Sequence, residues 1–229
     1  MTPFFSIIVV CLNPGEKLLQ TLQSIQKQEF RDYEIVLKDG GSTDGSLQKL
    51  YPGQSGLHVV TKPDRGIYDA MNQAVEEAKG RFVFFLNCGD WFMDEQVLAD
   101  MHDRIAGQKQ TGTERSAIYY GNVYERVTGQ LVSSNPKLNA FGCYRNVPCH
   151  QACFYERELL LRHPFQLEYR VRADYEQFLW CFFEAKANPF YTGITVADYE
   201  GGGFSETKKN LAVSKEEHRK IVQKYMSFG

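Results

Sequence analysis

No stretch of this 229-residue chain reaches the run of about 18 apolar residues that a membrane-spanning helix needs. A soluble protein, or at most a peripheral one, is expected. Charge of one sign is missing too: 26 Lys and Arg stand against 28 Asp and Glu, which leaves no general basic field for nucleic acid. No internal repeat and no low-complexity segment occurs. The six cysteines, at 11, 88, 143, 149, 153 and 181, sit mostly in apolar surroundings without paired spacing, and no signal peptide opens the sequence. Reduced thiols and a cytoplasmic location follow as expectations.

Two nucleotide-binding signatures are absent as well. After the first apolar run, CLNPGEK lacks the glycines that a dinucleotide fold needs for close approach to a pyrophosphate, and no P-loop occurs. What the chain does contain is RFVFFLNCGDWFM, from Arg81 to Met93. Phe82 to Leu86, bounded by Gly80 and Gly89, fits a central strand covered on both faces. The strand breaks abruptly into Asn87, Cys88, Gly89 and Asp90. Because ligands of open α/β sheets sit beyond the carboxyl ends of the strands, Asn87 and Asp90 are placed at a binding crevice.

The flanking sequence alternates strand and helix signals from residue 4 to 105, which predicts a parallel sheet wound in the right-handed sense. Phe4 to Leu12 reads as a buried strand; Asn13 then caps a helix, with Pro14 at its first position and Leu18, Leu22 and Ile25 on its inner face. Tyr33 to Asp39 is the next strand, breaking into GGSTDGS and a short helix to Leu50. Leu57 to Thr61 is a third, followed by a helix over 66–79 with Ile67, Met71, Val75 and Ala78 as its inward stripe. A helix started by Asp94 carries Val97, Met101 and Ile105. Beyond Gln110 the rhythm changes: Ala117 to Tyr124 and Gln130 to Ser134 form a hairpin, 136–148 shows no period, and Gln151 to Tyr155 is a short strand. Glu156 to Arg162 and Asp174 to Ala187 read as helices, Asn188 to Tyr199 as extended chain, 201–203 as a glycine hinge, and Leu211 to Tyr225 as an amphipathic helix.

Seven segments, in order, carry a family resemblance: SIIVVCLN, KDGGSTDGS, PDRGIYDAMNQA, GRFVFFLNCGD, HQACFY, ADYEQFLW and YEGGGFS. Together they resemble the family 2 glycosyltransferases of the GT-A fold, in the bacterial branch that builds capsule, O-antigen or exopolysaccharide repeats. The resemblance implies an α/β fold with a Rossmann-like, mostly parallel sheet, helices on both faces, an added antiparallel hairpin and an acceptor-side region. Within one continuous domain, 1–110 would bind the nucleotide sugar, and 111–229 the acceptor, with the catalytic base and the C-terminal helix. The implied activity is inverting transfer of one sugar from a nucleotide-sugar donor, a UDP-sugar by expectation, to a hydroxyl of a glycan or lipid-linked saccharide. The lack of a Q-x-x-R-W motif argues against a processive synthase.

Site residues follow from the same resemblance. Asp39 matches the position that recognises the nucleotide base, with Cys11, Asn13 and Ser42 nearby; Asp39 and Ser42 could instead cap the next helix. Arg65 would balance diphosphate charge, while Asp69 and Asn72, on one helical face, would face the donor sugar; the alternative is a solvated helix start. The family's D-x-D metal motif is degenerate here. Asn87 and Gly89 stand at the carboxylate positions and leave Asp90 as the anionic ligand for Mg²⁺ or Mn²⁺, unless Asp90 caps a helix. Asp174 matches the catalytic base, preceded by Ala173 where relatives often carry an acid. His150 and Gln151 match a segment beside the donor and acceptor site; the alternative is a packed, satisfied histidine, and zinc is disfavoured by the cysteine spacing. Gly202 belongs to a mobile acceptor-side loop. The C-terminal helix either rests its basic face on anionic lipid at the inner membrane face or packs on its own domain with its lysines in water. Two other functions stay open: a degenerate module that binds a nucleotide sugar without turnover, and a sugar nucleotidyltransferase. The oligomeric state is left open.

Overall fold

The apolar runs become adjacent strands because β-branched and aromatic residues covered on both faces have nowhere else to bury. The computed structural model describes residues 2–50, 56–108, 116–201 and 207–226. Its first strands are β1 (Phe5–Cys11), β2 (Tyr33–Asp39), β3 (Leu57–Thr61) and β4 (Phe82–Phe85). β1 lies between β2 and β4, β3 lies outside β2, and all three pairings are parallel. Register aligns Cys11 with Asp39 and Asp39 with Thr61, while β4 stops level with Ile8. The chain that leaves β4 therefore crosses beside the end of β1 and delivers Asn87 to Asp90 there.

Alternation along β1 divides the core into two layers. Phe5, Ile7 and Val9 pack with α1 (Lys17–Gln26) and α3 (Val97–Gly107); Ile8 and Val10 pack with α2 (Ile67–Glu77), α5 (Arg157–Arg162) and α6 (Ala173–Phe183). Helices thus cover both faces. Past β4 the sheet continues through β8 (Cys153–Glu156), antiparallel to β4, and then β6 (Ala117–Glu125), antiparallel to β8. β9 (Asn188–Tyr199) runs parallel to β6, and β7 (Gln130–Val132) makes the expected hairpin on it. The last strand, β5 (Trp91–Phe92), pairs antiparallel with β9. This short strand ties the Asn87–Asp90 turn into the second half of the sheet.

Several local expectations are corrected. Asn13 does not cap α1, which begins only at Lys17; Asn13 (φ 49°) and Gly15 (φ 59°) instead adopt left-handed conformations that swing the chain across the end of β2. Ile67 is 37 % exposed, so the inward stripe of α2 reduces to Met71, Val75 and the neighbouring alanines. Within 136–148 lies a short helix, α4 (Ala140–Arg145), whose start is capped by the Asn139 side chain accepting the Gly142 N–H at 2.8 Å. A six-residue helix is too short to leave a readable period.

α7 (Lys208–Met226) packs on α6 and α4 with Lys208, Lys209, Lys215 and Lys220 exposed, while Lys224 donates to the buried Glu176 carboxylate at 2.7 Å. Among the described residues no helix is long and apolar enough to cross a membrane, and all six cysteines are free thiols.

Candidate active site

At the carboxyl ends of β1 and β4 the structure opens a cleft of about 980 Å³. The first half of the chain contributes Cys11, Asn87 and Asp90 to its wall, and the second contributes His150, Gln151 and Asp174. Asp90 and Asp174, 84 positions apart in the sequence, open onto the same space.

Asp174 sits in the first turn of α6, where the helix dipole favours a carboxylate. Its Oδ1 accepts from the Tyr175 N–H at 2.9 Å and the Tyr68 hydroxyl at 3.1 Å, and its Oδ2 lies 3.4 Å from His150 Nδ1. Burial by itself would raise this carboxyl, but the His150 ring, the Tyr175 N–H and the Tyr68 hydroxyl outweigh it and hold Asp174 below the ordinary range. It is a carboxylate at neutral pH. The Tyr68 hydroxyl is pushed well above its usual value by burial and by the Asp174 charge, so it stays a donor. On its far side His150 receives the Asn87 amide nitrogen at Nε2, 3.1 Å away. With Nε2 accepting, Nδ1 carries the hydrogen that points to Asp174. A chain of hydrogen bonds thus runs from Asn87 through His150 to Asp174.

The turn carrying Asp90 is pinned from three directions. The Thr21 hydroxyl of α1 accepts the Gly89 N–H at 2.9 Å and donates to the Asp90 carbonyl at 2.9 Å. Arg126 donates to the Gly89 carbonyl at 2.8 Å, pairs with Asp198, and lies 3.4 Å over the Trp91 ring. The Asp90 carboxylate accepts from the Glu200 N–H at 2.9 Å and from Gln151 Nε2 at 3.4 Å. Burial raises its pKa above the ordinary value even though these partners pull it down. Gly89 has φ 103°, a conformation that suits the residue standing where a second carboxylate was expected.

Asn87 Oδ1 is buried and has no hydrogen-bond partner among the described residues. With the Asp90 carboxylate, which lines the same cleft, it offers two hard oxygen donors of the kind Mg²⁺ or Mn²⁺ takes when phosphate oxygens and water complete its shell. The residues present fit such an ion. Among the described residues no cluster of three or more His, Cys, Asp or Glu could hold a metal unaided.

At the carboxyl ends of β1 and β2, Asp39 is buried and turned toward Ser42, whose N–H (3.0 Å) and hydroxyl (2.5 Å) both donate to it. Ser42 Oγ in turn accepts the Asn13 N–H at 2.7 Å, and Asn13 Oδ1 accepts the Thr43 N–H at 2.8 Å. The Cys11 thiol, pushed up to about 12 chiefly by burial, lies 3.9 Å from Asp39 and remains neutral. Asp39, Asn13 and Ser42 are therefore one clasp joining the ends of β1 and β2.

α2 borders the same cleft. Ile67, Tyr68 and Met71 line the cleft, whereas Asp69 and Asn72 face elsewhere. Asp69 accepts the Arg65 N–H at 2.9 Å and pairs with the exposed Arg65 guanidinium. Asn72 makes a reciprocal pair with the Phe165 backbone, accepting its N–H at 2.8 Å and donating to its carbonyl at 2.9 Å. Gly202 lies outside the described residues. Tyr68, Lys38, Thr21 and Arg126 were not foreseen. Lys38, wholly buried and paired with Asp64 at 2.9 Å, had a legible signal: a charge inside a buried strand must find a partner.

The model of the family described as Glycosyl transferase family 2 matches residues 6–160. A "PGL/p-HBAD biosynthesis glycosyltransferase" of Mycobacterium bovis is 36 % identical over 211 residues, covering 90 % of this chain and 80 % of that one. The Escherichia coli "UDP-Glc:alpha-D-GlcNAc-diphosphoundecaprenol beta-1,3-glucosyltransferase WfaP" is 27 % identical over 152 residues, 63 % of this chain and 57 % of that protein. Among solved structures, S. aureus TarS 1–349 superposes with a TM-score of 0.73 at 19 % identity, over 98 % of this chain and 66 % of that one. Its complex with UDP-GlcNAc gives 0.74 at 19 % identity, over 98 % and 68 %. The chain thus spans about two thirds of the TarS fragment, and the likeness establishes a GT-A fold.

Proposed function

The chain belongs to glycosyl transferase family 2, and from that membership we propose a single-addition, inverting transfer of a sugar from a nucleotide donor. The acceptor is a hydroxyl of a glycan or lipid-linked saccharide, in the assembly of a surface polysaccharide. The observation carrying this reading is that Asp174, held as a carboxylate, and Asp90 face one cleft. A UDP-sugar is the favoured donor, since WfaP is named for UDP-Glc and TarS has been solved with UDP-GlcNAc.

In this mechanism the acceptor hydroxyl lies beside Asp174. Its oxygen bonds to the anomeric carbon while its proton passes to the Asp174 carboxylate, and the bond from that carbon to the diphosphate oxygen breaks. The nucleoside diphosphate leaves with the bonding pair. A base so placed contributes about 10²- to 10⁴-fold. His150 and Tyr68 hold the carboxylate in its reactive orientation. Asp90 and Asn87 Oδ1 would hold Mg²⁺ or Mn²⁺, which when bound neutralises charge developing on the diphosphate. Asp39 acts through Ser42: by fixing 40–43 against Asn13 it shapes the edge that receives the nucleotide base.

The test is release of nucleoside diphosphate from UDP-glucose, UDP-GlcNAc and GDP-mannose with Mn²⁺ present. One donor is expected to turn over, Asp174→Asn to lower the rate by about 10²- to 10⁴-fold, and Asp90→Ala to abolish it. Pyrophosphate release would point to nucleotidyl transfer, and donor binding without turnover to a non-catalytic module.

A further inference from the structure

α7 presents Asn210, Ser214, Glu217 and Ile221 to the protein interior. Their spacing of three and four residues places them on one helical face. Three of the four are polar, so this face docks through specific partners. Those of Glu217 form an unusual set: Oε1 accepts the Arg170 N–H at 2.7 Å, and Oε2 accepts the Val171 and Arg172 N–H groups at 2.9 Å each. Three successive backbone N–H groups around one carboxylate make an anion cradle, and charge-assisted bonds are the stronger kind.

The place of that cradle gives it consequence. Residues 170–172 are the turn that leads into α6, and Arg172, at the head of that helix, makes no side-chain cap of its own. Glu217 supplies from another helix the negative charge that a helix N-terminus favours. One turn earlier on α7, Ser214 Oγ accepts from Arg172 Nε at 2.8 Å. From the opposite side, the Tyr68 hydroxyl reaches the Val171 carbonyl at 2.9 Å as well as Asp174. The turn is thus gripped between α7 and α2, and Asp174 follows it directly. Glu217 is not part of the cleft wall.

We propose that Glu217 is a positioning residue for the transfer: its carboxylate sets the entry of α6 and thereby aims Asp174 at the acceptor oxygen. The inference rests on Asp174 being the base. A displacement near 1 Å at a reacting group costs about 100-fold in rate, so a side chain remote from substrate acts on turnover while leaving donor affinity alone.

The experiment uses the full chain, with the nucleotide sugar that turns over best among UDP-glucose, UDP-GlcNAc and GDP-mannose. Glu217→Gln keeps the side-chain volume but sets an NH₂ group against backbone donors. Expected are a fall in kcat of about 10- to 100-fold with donor Kd within about 2-fold, and faster hydrogen exchange confined to the segment around 168–176. Ile221→Ala, which loosens α7 by packing alone, is expected to lower Tm without that split between kcat and Kd. Should Glu217→Gln fail to fold, Glu217→Asp reads the same split. Unchanged kcat despite faster exchange overturns the proposal, as does a parallel loss of donor affinity. Asp174→Asn is run alongside: if it keeps the wild-type rate, the assignment of the base has failed, whereas its loss together with an active Glu217→Gln sinks only the role of Glu217.

Discussion

Replacing His150 with alanine tests whether this ring acts through Asp174, the proposed base, or on the substrate. The ring bridges Asn87, at 3.1 Å, and Asp174, at 3.4 Å, with the His150 and Asp174 side chains 19 % and 31 % exposed. A hydrogen bond to a charged group contributes about 1.5–3 kcal/mol. The length of this one and solvent screening reduce it to about 1 kcal/mol. At about 1.4 kcal/mol per factor of ten, His150→Ala lowers kcat about 5-fold. Removing the ring also removes a group that holds the Asp174 carboxyl down. With Asp174 as the proposed base, the rate needs the carboxylate and falls as pH drops through its pKa, so raising that pKa moves the acid limb of kcat to higher pH. The assay is kcat against pH for wild type, His150→Ala, Asp174→Asn and the double variant. If His150 works through Asp174, its removal has little further effect once Asp174 is Asn. An equal factor in both backgrounds, with an unmoved acid limb, refutes the reasoning.

Asn72→Ala strands the buried Phe165 N–H and carbonyl, which costs about 1–3 kcal/mol of stability; Tm drops while donor KM stays at the wild-type value. Asp90 yields an expectation with the opposite sign to Asp174, because burial raises its carboxyl. As pH falls, Asp90 protonates before Asp174, so donor KM worsens at a higher pH than kcat declines, a separation read from full pH profiles. On the stability side, a raised folded-state pKa contributes stability below the unfolded value that is lost as pH rises through the folded one. Asp90→Asn therefore raises the Tm of metal-free protein at neutral pH, and the gain shrinks toward about pH 4, near the unfolded carboxylate value. Calorimetry in EDTA reads it.

The strands at the centre of the sheet were legible because burial on both faces leaves an unmistakable mark: five apolar residues in Phe82 to Leu86, and an apolar run in β1, interrupted only by Ser6, admit one structure at that length. Residue spacing also located the hairpin of β6 and β7, and family motifs pointed to Asp90, His150 and Asp174. Elements with little period were not legible. α4 is too short, and β5 is two residues whose pairing with β9 depends on a partner about 100 positions away.

Sequence by itself determined which segments are buried and which polar residues stand where strands end, since hydrophobic periodicity is a local property of the chain. Tertiary structure decided where each of those residues points and what it serves. α2 carries Tyr68, Asp69 and Asn72 in one turn, yet only Tyr68 reaches the cleft, because the packing of Met71 and Val75 sets the rotation of the helix. Glu217 belongs to the same class: no spacing signals a carboxylate that caps a helix from another helix. Its partners, three backbone N–H groups more than forty positions earlier, come within reach only when α7 folds back against α6.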